Sequence, residues 1–167
     1  PLAALRHAVT PIDAIDISQA SGFGTATLTA KEQDVPALGY VVSYRALTGA
    51  LDDALARTRT QVRYGASVQG VRVTPAHAEV TLADGTTVKA RLVVVADGAG
   101  AVLPGITRAR RDYGQVALIA KVATRRPHAG VAFERFTDRG PMALLPEGDR
   151  YGLVWTMPPA DAQEAIA

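Results

Sequence analysis

The chain has 167 residues, 48% of them hydrophobic and 20% charged, with a formal net charge of +2. That balance is enough to bury a core and argues against disorder, and no run approaches the roughly 20 apolar residues that a membrane-spanning helix needs. Cysteine is absent, which excludes disulfides and thiolate metal sites and fits a reducing compartment.

Ile12 to Ser18 (IDAIDIS) alternates apolar and polar residues, the pattern of a half-buried strand. SGFG at 21–24 reads as a turn and TATLT at 25–29 as a second strand, so the pair is expected to form a hairpin. YVVSY at 40–44 is an extended entry to a helix, on which Leu47, Leu51 and Leu55 form one apolar stripe. Arg57 and Arg59 suit the negative pole at its end. QVRYGASVQGVRVT holds one or two strands. HAEVTLADGTTVKA is a hairpin, with Asp84-Gly85 as a two-residue turn.

Leu92 to Ala96 is apolar on consecutive residues, which predicts a central strand covered on both faces. Beyond Gly105 the chain turns strand-rich. VALIAKVA, GVAFERFTD, PMALLPE and YGLVWTM are punctuated by Gly, Pro and Asp, as in an antiparallel sheet. PPADAQEAIA then reads as helical. The start at Pro1 and the finish in an Ala-rich stretch read as a piece of a longer protein.

Asp97-Gly98 follows the apolar run directly. Ligands dock at the carboxyl ends of strands in open α/β sheets, where an Asp accepts hydrogen bonds from sugar hydroxyls and a Gly lets a pyrophosphate approach. A plain structural turn has the same residues, as Asp84-Gly85 shows. No G-x-G-x-x-G and no G-x-x-x-x-G-K-S/T occurs. His7, His77 and His128 lack metal spacing, and no metal site is expected. The clusters at Arg108, Arg110 and Arg111 and at Arg125 and Arg126 read as solvated basic surface, and no nucleic-acid motif accompanies them. In Phe133-Glu134-Arg135-Phe136, alternation puts Phe133 with Arg135 on one face, which could line a pocket or form a surface row. Trp155 reads as core rather than as a ligand platform.

Taken in order, LGYVVSYRALTGAL, RLVVVADGAGAVLPG, DYGQVALIAKVAT, AFERFTDRGPMALLPE and YGLVWTMP resemble the middle of flavin-dependent aromatic hydroxylases of the ubiquinone-biosynthesis type, which share the p-hydroxybenzoate hydroxylase fold. The likeness covers nearly the whole chain. The ADG turn and the ERFT..GP.A.LP run are its most specific parts.

The resemblance implies an α+β fold: an incomplete α/β FAD-binding portion at 39–110, and an antiparallel β-sheet substrate domain whose first part is 1–38 and whose main sheet is 111–167. It implies FAD as cofactor, NAD(P)H as co-substrate with O2, and a small phenolic or quinol substrate carrying a polyprenyl tail. Asp97, Gly98, Arg45, Tyr44 and Val68 match positions near the cofactor, and Arg135, Phe133 and Pro141 are candidates to line the substrate pocket that the sheet would roof. The family often continues the turn as ADG-x-x-S-x-x-R. Here Ala101 and Pro104 take the Ser and Arg places, which removes contacts after the turn.

No catalytic residue is assigned. His128 and Tyr113 qualify as bases by residue type only. The implied parent protein is cytoplasmic, with peripheral association at the inner face of the membrane, and the fragment alone is expected to be inactive. A non-catalytic β-rich binding module, or a related flavoprotein reductase or halogenase, are the competing readings.

Overall fold

The computed structural model describes residues 5, 8–98, 109 and 111–166. It divides into two compact units, one of Pro1–Arg59 with Asp112–Ala167 and one of Thr60–Arg111. Secondary structure is mostly strand, with two helices among the described residues, in keeping with the α+β expectation.

In the first unit, β1 (Val9–Ile12) pairs antiparallel with β4 (Gly39–Val42). A six-stranded sheet has the order β3-β2-β9-β10-β11-β8. Its strands are β2 (Ala14–Gln19), β3 (Thr25–Thr29), β8 (Val116–Val122), β9 (Val131–Thr137), β10 (Gly140–Glu147) and β11 (Arg150–Met157). All its pairings are antiparallel except β2 with β9, which is parallel. The alternating segment expected at 12–18 is split at Asp13, whose N–H donates to the Gly130 carbonyl at 2.8 Å. The β2–β3 hairpin forms as expected, with Ala14 opposite Thr29.

Helix α1 (Tyr44–Ala56) starts at Ser43, whose Oγ accepts from the Ala46 N–H at 3.2 Å, a standard N-cap. Its leucine stripe is only half covered: Leu47 and Leu55 are half-buried and Leu51 is exposed. Helix α2 (Pro159–Ile166) begins on a proline, which loses nothing at a position without an intrahelical N–H bond.

The first unit's tightest point is Gly140, at φ +139, where a Cβ would overlap the Thr156 carbonyl oxygen on β11. Glycine alone lets the β9–β10 turn lie against that strand. Met157 and Pro146 are the largest fully buried side chains.

The second unit is a three-stranded antiparallel sheet of β5 (Val68–Val73), β6 (Ala78–Leu82) and β7 (Thr87–Ala90). The β6–β7 turn is wider than the sequence suggested. Leu82 N–H donates to the Thr86 carbonyl, which leaves Ala83, Asp84 and Gly85 as a three-residue loop with Gly85 left-handed at φ +81. Asp84 accepts from the Thr86 N–H at 2.8 Å, and that bond holds its carboxyl below the usual range.

On β6, the Glu79 carboxylate gathers His77, Arg72 and Lys89. Its pKa is held below the ordinary 4.5, first by the His77 hydrogen bond and then by Arg72 and Lys89.

The expected central strand at Leu92–Ala96 is not formed. These residues have no strand pairing among the described residues, and Leu92 and Val94 are 77% and 76% exposed. A strand apolar on both faces is stable only between neighbours, and the second unit's sheet ends at β7.

Two outcomes follow. Gly140→Ala is expected to cost roughly 2–4 kcal/mol through the overlap with Thr156, whereas Gly148→Ala, left-handed but with open space around it, costs about 1 kcal/mol; thermal melts of both variants check the order. Because Glu79 and Asp84 have depressed folded-state pKa values, their contribution is complete above the unfolded carboxylate pKa and is lost as pH falls through the lower folded value. Amide protection factors in β5–β7, taken relative to the intrinsic exchange rate at each pH, should therefore fall on acidification below about pH 4, and Glu79→Gln should flatten that response.

Candidate functional site

Cross-strand partners share a sheet face, and the register places Asp16 and Ser18 of β2 beside Phe133 and Arg135 of β9. Phe133 and Arg135 therefore do lie on one face, which we call the front, and the Arg135 guanidinium donates to the Ser18 Oγ at 3.3 Å. Pro141 does not join them. It stands opposite Phe136, so it belongs to the back face. The three candidate pocket residues therefore do not share one face of the sheet.

On the same face as Phe133 sits Tyr151, almost fully buried, with ring centroids 6.0 Å apart. Its hydroxyl donates to the Val131 carbonyl at 3.0 Å. Burial and then the Asp16 charge push its pKa up, so the phenol keeps its proton. Asp16 itself accepts from Thr27 Oγ1 at 2.7 Å.

His128 packs edge-on against Tyr151, with centroids 5.8 Å apart. Its Nδ1 accepts from the Gly130 N–H at 3.0 Å, and its Nε2 lies 2.8 Å from the Gly148 carbonyl oxygen. A carbonyl only accepts, so Nε2 is the donor of that bond. Both nitrogens are occupied, which leaves no lone pair for general-base work. This imidazole steadies a strained turn in which Ala129, at φ +48, and Gly130, at φ +74, are both left-handed. A Cβ on Gly130 would also strike the Asp13 carboxylate.

Trp155 lies farther along the front face. Its Nε1 is buried without a hydrogen-bond partner among the described residues, an unmet donor between Met142 and Leu118 of the neighbouring strands.

The residues matched to the cofactor fall in both units. Tyr44 and Arg45 open α1, both exposed, and Arg45 forms no ion pair among the described residues. In the other unit, Asp97 is exposed and Gly98 is left-handed at φ +82, with nothing within 4 Å of where a Cβ would stand. Val68 lines an apolar cleft of about 400 Å³ with Val80, Leu82 and Val88. Ala101, Pro104 and Arg108 lie outside the described residues.

A second cleft, of about 440 Å³, lies in the first unit between Thr10, Ser43, Lys121, Glu147 and Arg150. The Lys121 and Glu147 charges within it already pair at 2.7 Å. No group of three or more metal-ligating side chains occurs among the described residues, and none of the described helices is long and apolar enough to cross a membrane.

Sequence reasoning missed Asp16, Ser18, Thr27 and Tyr151. The alternation of Asp16 and Ser18 in IDIS was a usable signal, since it put two polar side chains on one strand face. Their partners, more than a hundred residues away, were not visible from local pattern.

No family model matches the chain. Over 124 residues it is 39% identical to the ubiquinone hydroxylase UbiL of Rhodospirillum rubrum, an alignment covering 71% of this chain and 29% of that protein. It is 32% identical over 136 residues to the 3-demethoxyubiquinol 3-hydroxylase of Escherichia coli, covering 78% of this chain and 35% of that one. Among solved structures it is similar to P. aeruginosa PqsL in complex with 2-aminobenzoylacetate, with a TM-score of 0.75 and 19% identity over 98% of this chain and 47% of that one. It is also similar to Klebsiella pneumoniae HpxO complexed with FAD and uric acid, with a TM-score of 0.68 and 17% identity over 89% and 40%. At such identities these two structures show a shared fold and no more. The chain is a relative of the ubiquinone-biosynthesis hydroxylases, and it spans about a third of the length of the curated relatives it matches.

Proposed function

We propose that the chain is the central part of an FAD-dependent monooxygenase that hydroxylates a polyprenyl phenol in ubiquinone biosynthesis, using NAD(P)H and O2. The observation that carries this reading is the 39% identity to a ubiquinone hydroxylase over most of the chain. The fold shared with proteins solved with FAD supports it.

The residues present fit the cofactor, each within its own unit. The unpaired Arg45 guanidinium at the head of α1 suits phosphate or ribose oxygens, which it can hold as a two-pronged donor. Tyr44 beside it offers an exposed ring and hydroxyl. Asp97 offers a carboxylate to ribose hydroxyls, and the open space at Gly98 admits a bulky group against the backbone. Val68 contributes apolar surface for a base. FAD, when bound, supplies the redox chemistry that takes a hydride from NAD(P)H and activates O2. The chain's own part is to hold nucleotide and ring, and to keep water from the reacting centre with the strands of the six-stranded sheet. The parent protein acts in the cytoplasm at the inner face of the membrane, where a polyprenyl substrate resides.

The 167-residue chain contains no G-x-G-x-x-G for the pyrophosphate, and on this reading it binds FAD weakly by itself and does not turn over. Fluorescence titration of the purified chain with FAD should give no micromolar affinity. The full-length protein should purify yellow, oxidise NAD(P)H faster when a phenol is added, and release hydroxylated phenol. Arg45→Ala in it should weaken FAD binding roughly 10- to 100-fold. Phenol-independent oxidation without hydroxylated product would overturn the monooxygenase in favour of a reductase.

A further inference from the structure

Two residue rows cross the front face of the six-stranded sheet. One runs Thr27, Asp16, Phe133, Leu144, Leu153, Ala120 from β3 to β8. The next runs Thr25, Ser18, Arg135, Met142, Trp155, Leu118 in the same direction. Each row is polar at the β3–β2 end and wholly apolar from β10 onward. With strands about 4.8 Å apart, the stretch from β9 to β8 is roughly 14 Å long.

The polar end has an unusual feature. Asp16 and Arg135 have opposite charges and sit on adjacent strands of one face, yet neither forms an ion pair among the described residues. Each is instead steadied by a neutral hydroxyl, Asp16 by Thr27 and Arg135 by Ser18. Both keep hydrogen-bonding capacity, since a carboxylate accepts about four bonds and a guanidinium donates five. Phe133, 41% exposed, stands between Asp16 and the apolar end of its row, and Arg135 borders Met142 directly in the next. The exposed Phe133 ring offers a flat surface to another aromatic ring.

We infer that this face reads an amphipathic phenol from end to end: Asp16 accepts the ring hydroxyl, Arg135 donates to an oxygen on the same ring, and an isoprenoid tail lies across Leu144, Leu153, Met142 and Trp155. The inference rests on the hydroxylase reading above and adds a direction and a selectivity to it. The polarity gradient fixes which way the ligand points, because reversing it would bury the ring oxygens against leucines and leave Asp16 and Arg135 facing hydrocarbon. Asp16 is a specificity-determining residue here, and Thr27 is a positioning residue that acts through it.

The test uses the full-length protein loaded with FAD and two probes, a 2-methoxyphenol bearing a ten-carbon isoprenoid tail and its O-methyl ether. Dissociation constants are read from the flavin absorbance change. Wild type should bind the phenol at least tenfold tighter than the ether. Asp16→Val should bring that ratio close to one, and Asp16→Asn, which keeps an oxygen without the charge, to an intermediate value. Leu144→Thr should weaken the tailed phenol at least fivefold and leave the ratio untouched. A ratio unchanged in Asp16→Val, or a parallel loss for both probes, overturns the inference. If Asp16→Val does not fold, Thr27→Val must lower the ratio, and an unchanged ratio sinks the inference equally. Wild type that hydroxylates phenols while Asp16→Val keeps its selectivity defeats this inference alone; wild type that takes up FAD but hydroxylates no phenol defeats the hydroxylase reading and this inference with it.

Discussion

The parallel pairing of β2 with β9 is the constraint on which the six-stranded sheet depends. It joins segments more than a hundred residues apart and is the only parallel ladder in a sheet otherwise made of antiparallel neighbours. Long-range pairing of this kind has a high loop-closure cost and no turn to set its register. The chain supplies the register in other ways. Asp13 and Ala14 both donate to the Gly130 carbonyl, at 2.8 and 3.4 Å, where β9 begins. Ala20 N–H donates to the Phe136 carbonyl at 2.8 Å near its other end. With both ends tied, a one-residue slip is excluded, and such a slip would send Asp16 and Ser18 to the back of the sheet.

Around that ladder the chain accepts local strain. Ala129 is left-handed without being glycine, and the His128 imidazole, held at both ring nitrogens, links this turn to the β10–β11 hairpin through Gly148. Gly148 N–H donates in turn to Thr10 Oγ1 at 2.8 Å, so β1 belongs to the same chain of bonds. Tyr151 closes the cluster through Val131. These contacts are spent on holding the entry to β9 rather than on chemistry, which is why the histidine that stands out by residue type has no free nitrogen.

Much of this was legible in the sequence, and the reason is physical. The four strands after residue 115 and the β2–β3 hairpin are half-buried and bounded by turn residues, so alternation and punctuation mark them directly. The pairing of Phe133 with Arg135 on one face follows from the same period of two. Three things were not legible. Leu92–Ala96 reads as a covered strand because composition records an appetite for burial, not the presence of neighbours that satisfy it. The Asp84-Gly85 loop holds one residue more than the dipeptide suggests, since Gly85 takes its left-handed geometry in a three-residue loop as readily as in a two-residue one. The polar end of the front face was hidden because Asp16 meets Phe133 only through the parallel ladder. The candidate cofactor residues came from resemblance: Tyr44, Arg45 and Asp97 are exposed, Gly98 is left-handed and Val68 lines a cleft.

The unpaired run at Leu92–Val95 has a further consequence. Consecutive apolar, strand-prone side chains standing in water are a nucleus for self-association between copies of a chain. Arg91 and Asp97, both exposed, bracket the run with opposite charges, the arrangement by which gatekeeper residues discourage stacking of such segments. Arg91 and Asp97 thus keep a charge at each end of a run that a neighbouring strand would cover.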